Sequence, residues 1–338
     1  MSSNYAKGLS PYEHKGVCGK QEIFDNDDDL RVKSIQLAHL IKNSHHTVVH
    51  TGAGVSTSCG IPDFRGPSGV WTLEKLGKEP DVDVDFDVAV PSFTHLALVA
   101  LEKAGFVQYL ISQNIDGLHL RSGFPRNRMS DMHGNMFVQY CSKCKSDIVT
   151  DFPAPTVGLR STNIPCTIVK SRGVKCRGIL RDSILDWEDE LPKEHLRLAE
   201  EHSKIADLHI CLGTSLQIVP CANFPKSSKV ENFQLCVVNL QPTKLDKRCN
   251  LRIFGYVDKV MGIVMETLAI GVDVYTVPRI VHFSAHPDIV MLKKPKKRRS
   301  SSSAKSDTPL KNIFVDASIE TEQLKSNLSI SPTIACNG

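Results

Sequence analysis

Apolar segments of strand length, set between stretches of helical period, predict an α/β chain built on a mostly parallel, doubly wound sheet. Four runs carry the strand half of this expectation: Thr47 to His50, Val107 to Ser112, Ala206 to Leu212 and Gln234 to Val238. Each is rich in apolar residues and bounded by turn-forming ones. The third observation is an interruption. From about Gly134 to Leu185 the chain is rich in Cys, Gly, Pro and basic residues and poor in long apolar runs, which predicts a smaller inserted module.

Residues 1–28 are irregular, end in the acidic run Asp25 to Asp28, and are expected to form an extended arm. From Asp29 a helix is predicted, because Leu30, Leu37, Ala38 and Ile41 share one face and Asn43-Ser44 supply a break. Thr47 to His50 runs into Gly52-Ala53-Gly54, after which Val55 to Cys59 is expected to begin a helix. Ser92 is a good N-cap for a helix reaching Lys103, with Gly105 placed to end it. A last amphipathic helix is predicted near Asp258 to Ile270, and from about Pro287 the chain becomes Lys-, Ser- and Pro-rich. The domains expected are an arm (1–28), a main sheet domain (29–133 and 186–272), an insert (134–185) and a basic tail without a fold (273–338).

Composition narrows the function classes. With 338 residues, 41% of them apolar, and a mean hydropathy of −0.16, the chain can bury one substantial core and a smaller second one. No run approaches the ~18 apolar residues that cross a bilayer, and Met1 to Lys20 lacks the apolar core of a secretory signal, so no membrane partner is expected and the address is cytosolic or nuclear. Eleven cysteines, unevenly spaced, fit thiols plus one metal site better than disulfides. The net charge of +4 is too small to argue for nucleic-acid binding by the whole chain. Its distribution says more, since Lys293 to Arg299 packs six cations into seven residues. Such a run is either a solvated charge cluster or a nuclear-import signal that can also bind phosphate, the second being favoured.

Several segments carry chemistry. Gly52-Ala53-Gly54 follows a strand and precedes a predicted helix, where backbone N–H groups can meet a pyrophosphate, although the spacing also suits a plain tight turn. Polar residues follow two later strands, Gly213-Thr214-Ser215 and Asn239 with Gln241, at the edge where doubly wound sheets bind ligands. Asp63-Phe64-Arg65, in a loop bounded by Pro62 and Gly66, suits a cover over a dinucleotide or a surface turn. Gln113-Asn114-Ile115-Asp116 concentrates amide and carboxylate groups just after a strand. Cys141-x-x-Cys144, with Cys166 and Cys176, supplies the four thiolates of a closed structural zinc site, with a redox CxxC or unligated thiols as the alternatives.

Together, Gly52 to Ser56, Gly60 to Arg65, Gln113 to His119, His133-Gly134, Gly213 to Ser215 and Val238-Asn239 occur in the order and context of the sirtuins, which the chain resembles over about residues 1–270. The arm Asn4 to Gly19 and the stretch Ile184 to Asp189 resemble the class IV branch of nuclear enzymes, as does the short interval of about 47 residues between Arg65 and Gln113.

The resemblance implies a Rossmann-like catalytic domain that takes NAD, an insert that holds one structural Zn(2+), and removal of acyl groups from protein lysines. It implies that Gly52, Ala53, Thr57, Gly213, Thr214 and Ser215 line the pyrophosphate and adenosine path, that Asn239 and Gln241 hold the adenosine ribose, and that Val257 touches the adenine. Asp63, Phe64, Arg65 and Trp71 would shape the loop over the nicotinamide ribose, Gln113, Asn114 and Asp116 would orient that ribose and the carboxamide, and His133 would be the general base. Taken alone, His133 reads as an ordinary core or surface histidine, and its place in His133-Gly134 after the other motifs reverses that reading. Two departures stand out. Where sirtuins often carry a second CxxC, nine residues part Cys166 from Cys176, and Leu185 to Asp189 replaces a Phe-Phe-Gly-Glu type segment, so the substrate wall differs unless Trp187 is a core anchor. The expected partners are acylated lysines of proteins, histones first, and nucleosomes through basic surfaces, in the nucleus. Mono-ADP-ribosyl transfer to proteins and a chromatin-binding zinc scaffold are the competing readings.

Overall fold

The computed structural model describes residues 8–81, 84–169 and 173–275. The elements in chain order are α1 (Asp27–Asn43), β1 (Thr47–Thr51), α2 (Val70–Lys75), α3 (Phe93–Lys103), β2 (Tyr109–Ser112), α4 (Leu118–Arg121), β3 (Met129–Asp131), β4 (Val138–Cys141), β5 (Asp147–Val149), β6 (Ser161–Pro165), β7 (Ile179–Asp182), α5 (Lys193–Ile205), β8 (Leu208–Leu212), β9 (Gln234–Val238), β10 (Leu251–Ile253) and α6 (Val257–Leu268).

Six strands form one parallel sheet in the order β10-β9-β8-β1-β2-β3. Two runs of three strands leave the centre in opposite directions, which is the Rossmann arrangement, with its switch point between β1 and β8. Register does the rest. Thr51 lies beside both Leu212 and Ser112, Leu212 beside Val238, and Ser112 beside Asp131. The segments that follow, from Gly52, Gln113, Met132, Gly213 and Asn239, therefore leave the sheet along one carboxyl edge, although Gly52 and Asn239 lie 187 positions apart in the chain.

Both faces of the sheet are covered, so its strands read as continuous apolar runs. Val49, Leu110, Ile210 and Cys236 pack under α1, α3 and α6, which contribute Leu37, Ile41, Leu98, Leu101, Val260 and Val264. Val48, Tyr109 and Ile111 face the other way, onto Ala199 of α5 and Phe224. Each fully buried aliphatic side chain contributes about 1.5–3 kcal/mol relative to exposure.

Two helix starts differ from the sequence expectation. Helix α1 begins at Asp27 rather than Asp29, because Asn26 caps it by accepting from the Asp29 N–H at 2.8 Å. The acidic residues assigned to the arm are its first turn, where carboxylates favour the N-terminal end of the helix dipole. Val55 to Cys59 does not begin an α-helix. It forms two single 3-10 turns, Ala53–Val55 and Thr57–Cys59, ended by Gly60 in the left-handed region at φ +79°.

Strands β5-β4-β7-β6 make a separate antiparallel sheet. Its own core is small, with Ile148, Ile168 and Leu180 gathered around Cys141, Cys166 and Cys176. So little apolar burial leaves stability to another source, and the thiols are the available one.

Candidate active site and metal centre

A cavity of about 340 Å3 opens along the carboxyl edge. Its floor is two interleaved turns at the switch point. The Gly54 N–H donates to the Gly213 carbonyl at 2.9 Å, and Gly213 has φ +56°. A Cβ on Gly54 would stand 2.8 Å from Gly213 Cα, and one on Gly213 2.6 Å from the Gly54 carbonyl carbon. Only glycine at both places lets these backbones cross, and the same bareness lets a pyrophosphate approach the main chain. The floor fits a dinucleotide for that reason.

Above it stand the polar groups of the next strand. Asn114 Nδ2 donates to the Gly52 carbonyl at 3.0 Å, and Gln113 Nε2 donates to Thr214 Oγ1 at 3.1 Å, so each amide is aimed by one turn of the floor. Asp116 is buried. One of its oxygens accepts from Ser56 Oγ at 2.7 Å and the other from the Leu118 N–H at 2.9 Å. Burial pushes this carboxyl up from its ordinary range, and those two donors partly offset the shift. His133 follows β3 and lines the cavity half-buried. Its Nδ1 lies 3.0 Å from the Gln113 carbonyl, which can only accept, so Nδ1 carries the proton and Nε2 is the basic nitrogen. Burial lowers the imidazole from its ordinary value. The carbonyl opposes that shift and the Arg65 cation reinforces it.

The loop after the floor forms the roof. Asp63 Oδ1 accepts the Gly66 N–H at 2.9 Å, and its own carbonyl accepts the Val70 N–H at 2.8 Å, which folds the loop back into α2. Burial pushes the Asp63 carboxyl up, while the Gly66 N–H and Arg65 hold it down. The Arg65 guanidinium lies 4.5 Å over Trp71, and Phe64 packs on Trp71 at 4.9 Å. Trp187 approaches Trp71 at 5.6 Å and stacks on Tyr12 at 4.7 Å.

The cavity thus brings together Gly52, Ala53, Asp63, Phe64, Arg65, Trp71, Gln113, Asn114, Asp116, His133, Gly213, Thr214, Ser215, Asn239 and Gln241. It does not include Thr57, which is exposed and donates to the Gly54 carbonyl, or Val257, which is buried in the main core at the first position of α6. It adds residues to which the sequence reading assigned no role: Tyr12 from the arm, Leu191, and Leu9, Ile61, Phe86 and Ile115, which with Ile184 form one apolar cluster in the lining. Tyr12 is one of three aromatics in the arm, with Tyr5 and Phe24, and nothing in the arm's pattern singles it out.

The four sulfurs of Cys141, Cys144, Cys166 and Cys176 all lie within 4.8 Å of one another. Cys141 to Cys176 is 3.7 Å and Cys144 to Cys166 is 3.8 Å. Disulfide sulfurs lie about 2 Å apart, whereas the edge of a tetrahedron with 2.3 Å metal–sulfur bonds is about 3.8 Å. The spacing fits the closed tetrahedral donor set that one structural zinc ion takes.

A glycine floor at the switch point, amides aimed along one edge and a histidine with its basic nitrogen free define a dinucleotide-using enzyme of the doubly wound class. The family model described as "Sir2 family" matches residues 81–220. The "NAD-dependent protein deacetylase Sirt6" of Drosophila melanogaster is 50% identical over 278 residues, 82% of this chain and 88% of that one. The "NAD-dependent protein deacetylase SRT1" of Arabidopsis thaliana is 48% identical over 81% of this chain, which spans 57% of that protein's length. Among solved structures, "Sir2-p53 peptide-NAD+" matches with a TM-score of 0.52 and 29% identity, covering 69% of this chain and 98% of that one. The chain belongs to the Sir2 family, in its class IV branch.

Proposed function

We propose that this chain is an NAD-dependent protein-lysine deacylase. The observation that carries the reading is His133, whose basic Nε2 belongs to the same cavity as the amides of Gln113 and Asn114 and an apolar cluster able to take an acyl chain. The names of the relatives, protein deacetylases that use NAD, support it, as does the Sir2 structure with a p53 peptide and NAD.

When bound, NAD would supply the ribose carbon from which nicotinamide departs and the ribose hydroxyl that ends up carrying the acyl group, and with one water consumed the products are nicotinamide, O-acyl-ADP-ribose and free lysine. The chain does the rest. Gly52, Ala53, Gly213, Thr214 and Ser215 admit the phosphates to the backbone. Asn239 and Gln241 stand at the far strand for the adenosine ribose. Asn114, Gln113 and Asp116 orient the nicotinamide half, Asp116 acting through Ser56. Phe64, Trp71 and Trp187 exclude water. His133 Nε2 takes a ribose hydroxyl proton as general base.

The substrates are acylated lysines of proteins. Histones are the targets we favour, on nucleosomes reached through basic surfaces in the nucleus, and the motive is Lys293 to Arg299, which lies outside the described residues. Mass spectrometry of acetyl- and long-acyl-lysine histone peptides, with and without NAD, tests the activity. Release of free lysine peptide with O-acyl-ADP-ribose is the expected result. Peptide that gains ADP-ribose and keeps its acyl group would make the chain an ADP-ribosyltransferase, and unchanged peptide would leave it a zinc scaffold.

A further inference from the structure

Gln217 is not part of the cavity, yet its side chain reaches the arm 200 residues earlier. The Val17 N–H donates to Gln217 Oε1 at 2.9 Å, and Gln217 Nε2 donates to the Val17 carbonyl at 3.0 Å. One amide thus satisfies both main-chain groups of one residue, as a strand partner would. The backbone just before Gln217 is unusual for this purpose. Leu216 is buried and holds φ +52°, a left-handed conformation that L side chains avoid and that marks places where position outweighs strain.

The arm held in this way acts on the roof of the cavity. Two residues before Val17, the Lys15 carbonyl accepts from Arg65 Nε at 2.8 Å. With Nε engaged, the guanidinium plane is set, and its two Nη groups make no hydrogen bond to any described residue, which leaves them for a ligand anion. Two residues after Val17, the Gly19 N–H donates to the Arg65 carbonyl at 3.0 Å. Gly16 lies between the two attachments at φ +74°, and a Cβ there would stand 2.5 Å from Gln217 Oε1 and 3.5 Å from Arg65 Nε. Gln217, Gly16 and Arg65 are therefore one packed unit.

We propose that Gln217 is a positioning residue for the dinucleotide site: its amide clasps the Val17 peptide, and the arm so clasped aims the Arg65 guanidinium through the Lys15 carbonyl. The inference rests on the proposed function only in taking NAD as the ligand. Its loss frees the arm, lets Arg65 sample other rotamers, and weakens NAD without touching His133 or the apolar cluster.

The experiment uses the full chain with zinc bound, and titrates NAD by calorimetry beside steady-state kinetics. Gln217→Ala is expected to weaken NAD binding and raise the KM for NAD by about tenfold, the scale of one or two lost hydrogen bonds. The kcat and the KM for the acyl-lysine peptide stay within about twofold of wild type, a split that a general loss of structure does not produce. Gly16→Ala disturbs the clasp from the other side and gives the same phenotype, which keeps the test alive should Gln217→Ala fold poorly. The double variant is no worse than the weaker single, because both act through one contact. Unchanged NAD affinity in both single variants, with or without a fall in thermal midpoint, overturns the inference, and so do effects that simply add. A wild-type chain that binds no NAD overturns the functional reading instead.

Discussion

His133 Nδ1 lies 3.0 Å from the Gln113 carbonyl, and this one hydrogen bond decides which ring nitrogen is a base. The acceptor belongs to the segment whose Gln113 and Asn114 side chains are aimed at the floor, so the base and the groups that would orient its substrate are set by the same two residues.

His133→Ala is expected to lower deacylation by roughly a hundred- to ten-thousand-fold, the range of a general base, and to leave NAD affinity within a few-fold. Turnover of an acetyl-lysine peptide beside calorimetric NAD titration checks both. Near-normal turnover removes His133 from its role.

The same histidine sets an acid limit. Burial, with Arg65 helping, lowers its pKa below 6.5, so the neutral, basic form persists below that pH. The kcat/KM should stay flat from pH 8 to about 6.5 and fall only at lower pH, through the depressed pKa. A pH–rate profile with its midpoint above 6.5 contradicts the assignment.

Stability should fall over a nearby range for a different reason. Burial holds His95 down to about 3, and His202 and His209 down to about 4, well below their ordinary 6.5. Below pH 6.5 the unfolded chain takes up protons that the folded chain refuses, so stability is full above about 6.5 and is lost progressively as the pH falls towards 4. Urea midpoints at pH 7.5, 6.0 and 5.0 should decline in that order. A midpoint that stays constant refutes it.

Asp116→Asn keeps the shape, and its oxygen can still accept from the Leu118 N–H, but its NH2 turns the Ser56 hydroxyl from donor into acceptor and removes the carboxylate's capacity for charge. The exchange should cost about 1 kcal/mol of stability and lower activity by more than tenfold. Chemical denaturation and turnover report the two effects separately.

Zinc analysis should find one ion per chain, and Cys141→Ala should lose it together with the order of the second sheet, because metal binding is folding free energy in such a small core. Limited proteolysis between Cys141 and Cys176 reads this directly. A metal-free chain that resists cleavage there contradicts it.

The carboxyl edge was legible in the sequence because parallel strands in register deliver whatever follows them to one place. Gly52, Gln113, Gly213 and Asn239 could be read together once Thr47 to His50, Val107 to Ser112, Ala206 to Leu212 and Gln234 to Val238 were read as strands. The start of α1 is not legible locally, because an acidic run suits an irregular arm as well as it suits a capped first turn. The 3-10 turns after Gly52 were missed because local propensity does not register that the Ser56 hydroxyl is drawn to Asp116, sixty residues on. Leu9 and Tyr12 were the least visible. The arm has neither helical nor strand period, and it is held by side chains such as Asp186, Trp187 and Gln217 that lie more than 170 residues away, donating to or accepting from Ser10 and Val17.

The chain contains two tryptophans, Trp71 and Trp187, both lining the cavity and packed against each other with ring centres 5.6 Å apart. The whole intrinsic indole emission of the protein therefore originates beside the site, with no remote fluorophore to dilute it. A ligand that displaces water there, or a nicotinamide ring that meets either indole, should quench or shift that emission, so occupancy becomes readable optically in the unlabelled protein. Trp71→Phe and Trp187→Phe would then each leave a single reporter, Trp187 beside Tyr12 or Trp71 beside Phe64 and Arg65, and the order in which the two signals change on mixing would give the order in which those two parts of the lining respond.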